Sequence, residues 1–416
     1  MRTIELIASM DWLPTERTVG ELGFESLRGT MCYQFRYDPL WLRDYPQLVL
    51  SKDLLPVSGW QYKRGAIFDF LQDALPDRWG RRLIDKRERL EAARENRLPR
   101  HLDDADYMLL LDDTTRIGAL RLKEADQYIG ISETDCPVPP IAHIREFVDL
   151  SQAFERADAE GGMLREQWLL NLYRQGSSLG GARPKANVRD TDGSLYIAKI
   201  PSVHDDYDVA LWEHFAHCLA REAGIRTADT RLILSDGQRY HTLLTRRFDR
   251  VGEHRVHFAS AMTLCGLQDG ASADTNNGYL DIVDMLVGQS GVADVHCSLL
   301  ELYRRVAFNI LIGNHDDHFR NHGFLLTERG WEWSPAYDLN PTDMLTQSLL
   351  ITSSDNTSSL DLLAAAASDY MLTRPETTAI LDEVRFAVRD WRKIATRCGI
   401  SPSEQSRFAL RLDSQL

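Results

Sequence analysis

At 416 residues and 47.5 kDa, the chain is long enough for two or three domains with substantial cores. Its 43% hydrophobic and 26% charged content is that of an ordinary globular protein, and no apolar run approaches the ~18–20 residues of a membrane span or the core of a signal peptide. A net charge of −14 argues against strong direct nucleic-acid binding, which takes many phosphate contacts from a basic surface.

In the first third, Met31, Tyr33, Phe35 and Tyr37 alternate with Cys32, Gln34 and Arg36, the period of a half-buried strand. Pro76 is placed to begin a helix running toward Arg97. Basic residues outnumber acidic ones between Asp77 and Arg100. The i,i+4 pairs Arg81–Asp85, Asp85–Arg89 and Arg87–Glu91 favour a solvated helix there, with a partner contact as the alternative. Gly118–Ile131 reads as strands. The run from Cys136 to Pro140 reads as a linker and places the first boundary near residue 135. Residues 141–175 are helical in pattern, through Ile144, Phe147, Val148 and Leu150, then Leu164, Trp168, Leu169 and Leu172. The scattered cysteines (Cys32, Cys136, Cys218, Cys265, Cys297 and Cys398) contain no Cys-x-x-Cys pair and read as free thiols of a reducing cytosol.

From 176 to 247 the pattern is a small mixed sheet. It opens with Ser177-Ser178-Leu179-Gly180-Gly181-Ala182-Arg183-Pro184-Lys185, where small residues let backbone N–H groups approach phosphate oxygens. Leu195–Lys199 is a strand paired through an Asp192-Gly193 turn, and Lys199 at its end can reach nucleotide phosphates. A helix through Leu211, Trp212, Phe215 and Leu219 ends before Gly224 and carries Glu213, a carboxylate suited to hold Lys199 as an ion pair. A second hairpin, Thr230–Leu234 with Tyr240–Thr245, turns at Asp236-Gly237. It runs into Arg246-Arg247-Phe248-Asp249-Arg250, where a two-lobed kinase has its adenine-binding hinge. Singly, each piece has a plainer reading: Gly180-Gly181 as a turn, Lys199 as a solvated strand end, Glu213 as an exposed helix charge.

Helices dominate from about residue 258. Leu299 to Ile312 leads into Asn314-His315-Asp316-Asp317-His318-Phe319-Arg320-Asn321. Asp316 and Asn321 have the spacing of a kinase catalytic loop, in which the Asp accepts the proton of the attacking hydroxyl and the Asn holds Mg²⁺. Asp338, in Ser-Pro-Ala-Tyr-Asp-Leu, is placed to supply a second hard oxygen ligand. His318 and Arg320 are further candidates near the phosphates. His315 and His318 beside two aspartates leave a transition-metal cluster open. Thr352–Ser359 reads as a loop and Asp361–Ala367 begins a helix. Pro375 starts another, whose Leu381, Val384, Val388 and Trp391 form a core stripe.

Together these motifs resemble the HipA-type toxin kinases of bacterial toxin–antitoxin pairs. The resemblance spans nearly the whole chain. It rests on Ser178–Lys185, Tyr196–Lys199, Arg247–Arg250, the 314–321 loop, Pro335–Leu339 and, near the N-terminus, Leu75-Pro76-Asp77-Arg78-Trp79-Gly80-Arg81. The fold expected is α+β: an N-terminal β-rich subdomain (1–135), then a two-lobed protein-kinase-like body with a small lobe (136–250) and a helical catalytic lobe (251–416).

The resemblance implies a cytoplasmic Ser/Thr protein kinase using ATP and Mg²⁺. Asp316 would be the catalytic base, with Asn321 and Asp338 on metal, Lys199 on the phosphates and Glu213 as its partner. ATP contacts would come from Gly180, Gly181, Ala182, Arg183, Pro184 and Lys185, from Arg246, Arg247 and Phe248 at the adenine, and from His318, Phe319, Arg320 and Tyr337. Autophosphorylation at Ser178, with Ser177 beside it, would silence the enzyme. A helix-turn-helix antitoxin would be the partner, with DNA reached only through it, and the substrate a protein such as an aminoacyl-tRNA synthetase. The aromatics around Tyr33–Trp41 and the helix near Arg81–Arg97 are the surface expected to meet the antitoxin, with plain core packing as the other reading of the aromatics. Arg246 departs from the best-known members, which carry an acidic residue there. Two other functions fit the same residues: a small-molecule or lipid kinase, because phosphate machinery does not name the acceptor, and a non-catalytic nucleotide-binding co-repressor.

Overall fold

The computed structural model describes residues 2–46, 48, 50–76, 78–130, 138–159, 183–288, 291–342 and 344–414. Among the described residues no helix is long and apolar enough to cross a membrane. The fold is α+β, and the chain divides into two compact units, Met1–Tyr207 with Ile233–Phe258 and Asp208–Leu232 with Ala259–Leu416.

In the first unit, β1 (Arg2–Ala8), β2 (Arg17–Leu27), β3 (Thr30–Tyr37), β4 (Gln61–Arg64), β5 (Leu120–Glu124) and β6 (Gln127–Tyr128) form one antiparallel sheet in the order β4-β3-β2-β1-β5-β6. Position 20 admits only glycine, because a Cβ there would stand 2.2 Å from the Arg36 carbonyl oxygen on the neighbouring strand. The alternation read in β3 buries Tyr33, Phe35 and Tyr37, and the rings of Phe68 and Phe70 meet Phe35 edge-on. Trp41 is buried as well, on α1 (Pro39–Asp44), whose first turn is capped by Asp38 accepting from the Leu40 and Trp41 N–H groups. The aromatic surface expected around Tyr33–Trp41 is therefore core. Each buried ring contributes about 1.5–3 kcal/mol of transfer free energy, which outweighs any gain from waiting exposed for a partner.

The basic helix differs from expectation in a related way. It spans α2 (Arg78–Arg94), and of the i,i+4 pairs read in sequence Arg87–Glu91 forms, at 2.6 Å. Arg81 turns instead to Asp104, at 2.9 Å, and Asp85 accepts from the Tyr107 hydroxyl at 2.7 Å. Both new partners sit on α3 (Asp104–Leu110), so tertiary packing wins over local pairing. Buried Glu88 gathers Arg97 and Arg100. These arginines are committed inside their own unit.

Residue 135 does not separate compact units. Arg255 Nη2 reaches the Asp113 carboxylate at 2.9 Å and the Gly118 N–H donates to Asp249 at 2.9 Å, so residues 113–118 are stitched to 249–255. The helix expected around Leu164–Leu172 lies outside the described residues. Its predecessor α4 (Ile144–Ala159) packs with α2 on the small sheet, where Trp79, Leu83, Phe147, Val148 and Phe154 enclose Ala186 and Ile200.

That sheet begins with β7 (Lys185–Arg189) and β8 (Leu195–Lys199), antiparallel, turned at Gly193 with φ +86°. The chain passes through α5 (Val209–Glu222) and β9 (Thr230–Ile233) and re-enters the first unit at Ile233. It returns as β10 (Thr242–Arg246), antiparallel to β8. Val188, Tyr196, Ala198 and Leu244 pack on Ile144 of α4, whereas Lys199 alternates to the other face.

In the second unit, α6 (Tyr279–Gly288) and α7 (Val295–Ile312) precede the 314–321 loop. A capping box of Thr373 and Glu376, with Pro375 in the first turn, opens α8 (Arg374–Arg389). Its Leu381, Val384 and Val388 are buried as read, and so is Trp391 on α9 (Trp391–Arg397). Trp212 and Phe215 of α5 meet Phe408 and Trp391 edge-on, which joins α5, α9 and α10 (Pro402–Ser414) around one core.

Candidate active site

The second unit holds the loop rigidly from below. Gly313 ends α7 in the left-handed conformation, φ +71°, and a Cβ there would stand 2.1 Å from the Arg411 side chain. From that cap, Asn314 donates to the Asn309 side chain at 3.1 Å. His315 is buried against the Arg411 guanidinium, 2.7 Å from Nδ1, and against Thr342. Burial and the Arg411 charge push its imidazole down to about 4, so it stays neutral near neutrality. Among the described residues, His315 and His318 do not assemble a metal cluster with the aspartates, because His315 faces a cation instead.

Asp316 and Asp317 part company completely. Asp316 is exposed, whereas Asp317 is buried and accepts from the Asn309 amide (2.7 Å), the Tyr279 hydroxyl (2.8 Å) and His322 Nε2 (3.0 Å). A carboxylate can only accept, so Nε2 carries a proton. Burial alone would raise Asp317, but the His322 charge and the hydrogen bonds from His322 and Tyr279 hold it below the usual carboxylate range. From sequence, Asp317 enters only as a possible ligand of the metal cluster, and Tyr279, Asn309 and His322 carry no role. The doublet was the available signal, since one loop cannot aim two adjacent carboxylates at the same place.

The loop closes on itself through Asn321, whose Nδ2 donates to the Asp316 carbonyl at 3.1 Å, and through the Asn321 N–H to His318 O at 2.8 Å. Phe319 is buried and anchors the turn, His318 is half-buried, and Arg320 pairs with Asp269 at 3.1 Å. The hairpin Gly323–Thr327 and Gly330–Trp333 then occupies the interval before Asp338. The Tyr337 hydroxyl donates to the Arg320 carbonyl at 2.5 Å, fastening the residue before Asp338 to the residue before Asn321. Asp338 itself has φ +57°, a left-handed conformation that costs a non-glycine residue of order 1 kcal/mol and marks a position held for its geometry.

Asn340 donates to Asp338 Oδ1 at 3.2 Å, and the amide oxygen of Asn340 is buried without a hydrogen-bond partner. A carboxylate, the amide of Asn321 and an unsatisfied buried amide oxygen nearby make a hard-oxygen environment that fits Mg²⁺.

In the first unit, Lys185 and Lys199 stand directly opposite one another on β7 and β8. Arg183 pairs with Asp205, and buried Pro184 accepts from the Ile200 N–H at 2.9 Å. Gly180, Gly181, Ala182, Ser177 and Ser178 lie outside the described residues. Arg246 is exposed and donates to Ser194 Oγ at 3.1 Å; Phe248 is half-buried against Phe258. Arg247 is buried, and its guanidinium bonds Asp249, the Thr115 and Arg116 carbonyls and Asn187. That side chain is an internal strut, which corrects the expectation that it contacts the adenine. Glu213 is buried on α5 in the second unit, 3.9 Å from His217 Nε2.

Asp317→Ala is expected to destabilise the second unit by about 3–5 kcal/mol, because it strands three buried donors. The folded Asp317 value lies below the unfolded one of about 3.9, so its stabilisation is complete above that pH and fades as pH falls through the folded value. Thermal melts from pH 7 to pH 3 check this. Wild type should lose Tm more steeply below pH 4 than Asp317→Asn, and parallel curves would contradict it.

A family model described as the HipA-like C-terminal domain matches residues 177–392, and one described as the HipA N-terminal domain matches residues 12–101. The serine/threonine-protein kinase toxin HipA of Shewanella oneidensis is 27% identical over 193 residues, 40% of this chain and 43% of that protein. The Y4dM protein of Sinorhizobium fredii is 31% identical over 162 residues, 36% of this chain and 38% of its own length. The aligned segments thus span under half of either relative. A chain of the solved complex of Shewanella oneidensis MR-1 HipA, HipB and operator DNA superposes with a TM-score of 0.67 at 18% identity, over 99% of this chain and 96% of that one, a likeness of fold. With the C-terminal domain model matching more than half its length and the N-terminal one preceding it, this chain belongs to the HipA family.

Proposed function

We propose that the protein is an ATP- and Mg²⁺-dependent Ser/Thr protein kinase acting as the toxin of a toxin–antitoxin pair. The observation that carries this reading is the exposed Asp316 on a loop locked by Asn321, by buried Asp317 and by the Tyr337 tether beside Asp338. Phosphoryl transfer asks chiefly for positioning and charge neutralisation, and this loop offers a rigidly aimed base. In the reaction the acceptor hydroxyl oxygen bonds to the γ-phosphorus, the bond from that phosphorus to the bridging oxygen breaks, ADP leaves, and Asp316 takes the hydroxyl proton. Asn321 and Asp338 are the residues that would hold Mg²⁺, which supplies neutralisation of the phosphate charge when bound. Lys185 and Lys199 are register partners on adjacent strands, and two cationic side chains on one face suit a phosphate ligand.

The test is incubation with labelled ATP and Mg²⁺ in cell lysate, then identification of labelled residues. Label on protein serine or threonine is expected. Label confined to metabolites or lipids would make the enzyme a small-molecule kinase, and nucleotide binding without turnover would make it a co-repressor. Within the same reading, Ser178 is expected to become phosphorylated on incubation with MgATP. The modification adds about −1.5 to −2 charges to a segment that the family resemblance assigns to the ATP phosphates, and should lower nucleotide affinity. Mass spectrometry checks it: phosphate on Ser177 moves the assignment by one residue, and phosphate only elsewhere ends it. Given the −14 net charge, operator binding should require a co-expressed helix-turn-helix partner. The family resemblance points to the translation machinery, such as an aminoacyl-tRNA synthetase, for the substrate.

A further inference from the structure

Away from the loop, the second unit brings together three side chains that no part of the kinase reading uses. His214 and Cys218 stand one turn apart on the same face of α5, and Cys398 closes the C-terminal end of α9. An imidazole nitrogen of His214 and the sulfurs of Cys218 and Cys398, one ligand atom from each, lie within 4.8 Å of one another, the one such group of three among the described residues. All three residues are half-buried and both cysteines are free thiols.

We propose that His214, Cys218 and Cys398 form a binding site for a thiolate-preferring divalent metal ion, of which Zn²⁺ is the type. Four features carry the assignment. Two sulfurs and an imidazole nitrogen are the donor set such an ion selects over hard oxygen. Tetrahedral bonds of about 2.3 Å to sulfur and 2.0 Å to nitrogen put S and N about 3.5 Å apart, and Cys218 Sγ already lies 3.8 Å from His214 Nε2.

The third feature is the far side of the imidazole. His214 Nδ1 lies 2.8 Å from Thr230 Oγ1, and in the tautomer that donates from Nδ1 to that hydroxyl Nε2 presents its lone pair to Cys218 Sγ. An outer partner of this kind fixes tautomer and ring plane in metal sites. The fourth is charge. Two thiolates and a divalent ion sum to zero, so Arg221 and Arg397, which flank the two cysteines on α5 and α9, do not oppose the loaded site. Three protein ligands leave the fourth position for water or another donor. The ion would tie α5, the helix that carries Glu213, to the end of α9.

The test uses the full-length protein, reduced and stripped of metal, titrated with Co²⁺. One equivalent should bind and give the thiolate-to-cobalt charge-transfer and tetrahedral visible bands, which Zn²⁺ then displaces, and Zn²⁺ should raise Tm. Cys218→Ser and Cys398→Ser should each abolish the charge-transfer signal of a two-thiolate site, and Thr230→Val should weaken binding about 10- to 100-fold with the bands retained. Because a cysteine variant can fail by misfolding, the wild-type spectrum decides by itself. Octahedral Co²⁺ without sulfur bands overturns the proposal. So does a reduced protein that binds no Co²⁺ but loses two hydrogens on mild oxidation, the signature of a Cys218–Cys398 disulfide.

Discussion

Asp316→Asn is expected to lower phosphoryl transfer by about 10²- to 10⁴-fold while leaving MgATP affinity near wild type. The amide keeps the shape of the side chain but cannot accept the hydroxyl proton. The loop should persist, because the bond from Asn321 Nδ2 goes to the Asp316 carbonyl, which the substitution keeps. Asp338→Asn should behave differently and weaken nucleotide binding along with transfer, since one charge of the hard-oxygen set is lost. Single-turnover assays beside calorimetric binding separate the two variants. Wild-type turnover by Asp316→Asn would mean that another group is the base.

In the first unit a stability effect as large as that of Asp317→Ala should come from Asp249→Ala. Asp249 is buried, bonds Arg247 at 2.7 Å and Arg250 at 2.7 Å, and accepts from the Gly118 N–H at 2.9 Å. Burial drags the Arg250 guanidinium down to about 9. The carboxylate nevertheless ends below its usual range, because two guanidinium groups and a backbone donor compensate it while the arginines share one carboxylate. Removing it leaves two buried cations facing each other, at a cost of about 3–5 kcal/mol. Hydrogen exchange should rise at residues 113–118 and 247–255 and stay unchanged at 314–322. Uniform exchange in both regions, or a Tm within error of wild type, would refute the strut role of the Arg-Phe-Asp-Arg motif.

That motif shows how sequence and structure divided the work. Its place after a second hairpin was legible, because strands and Asp-Gly turns are local: Leu195–Lys199 and the glycine of its turn appear where alternation put them. Its chemistry was not. The guanidinium of Arg247 reaches residues 60 and 132 positions away, and no local pattern encodes such partners. The same limit explains the N-terminal aromatics. Alternation in β3 said that one face is apolar, and the fold decided that this face is covered.

By itself, the sequence determined the α+β class, the order of the motifs and the spacing of Asp316, Asn321 and Asp338, all of which follow from local periodicity and turn chemistry. Only the tertiary structure decided which of two adjacent aspartates is exposed, because Tyr279 and His322 converge on Asp317 and leave Asp316 outside. It also decided that two cysteines 180 positions apart meet one histidine, through the packing of Trp212, Phe215 and Trp391 that brings α5 against α9. Contacts between distant segments are set by which apolar faces bury each other, and that choice is made by the whole chain at once.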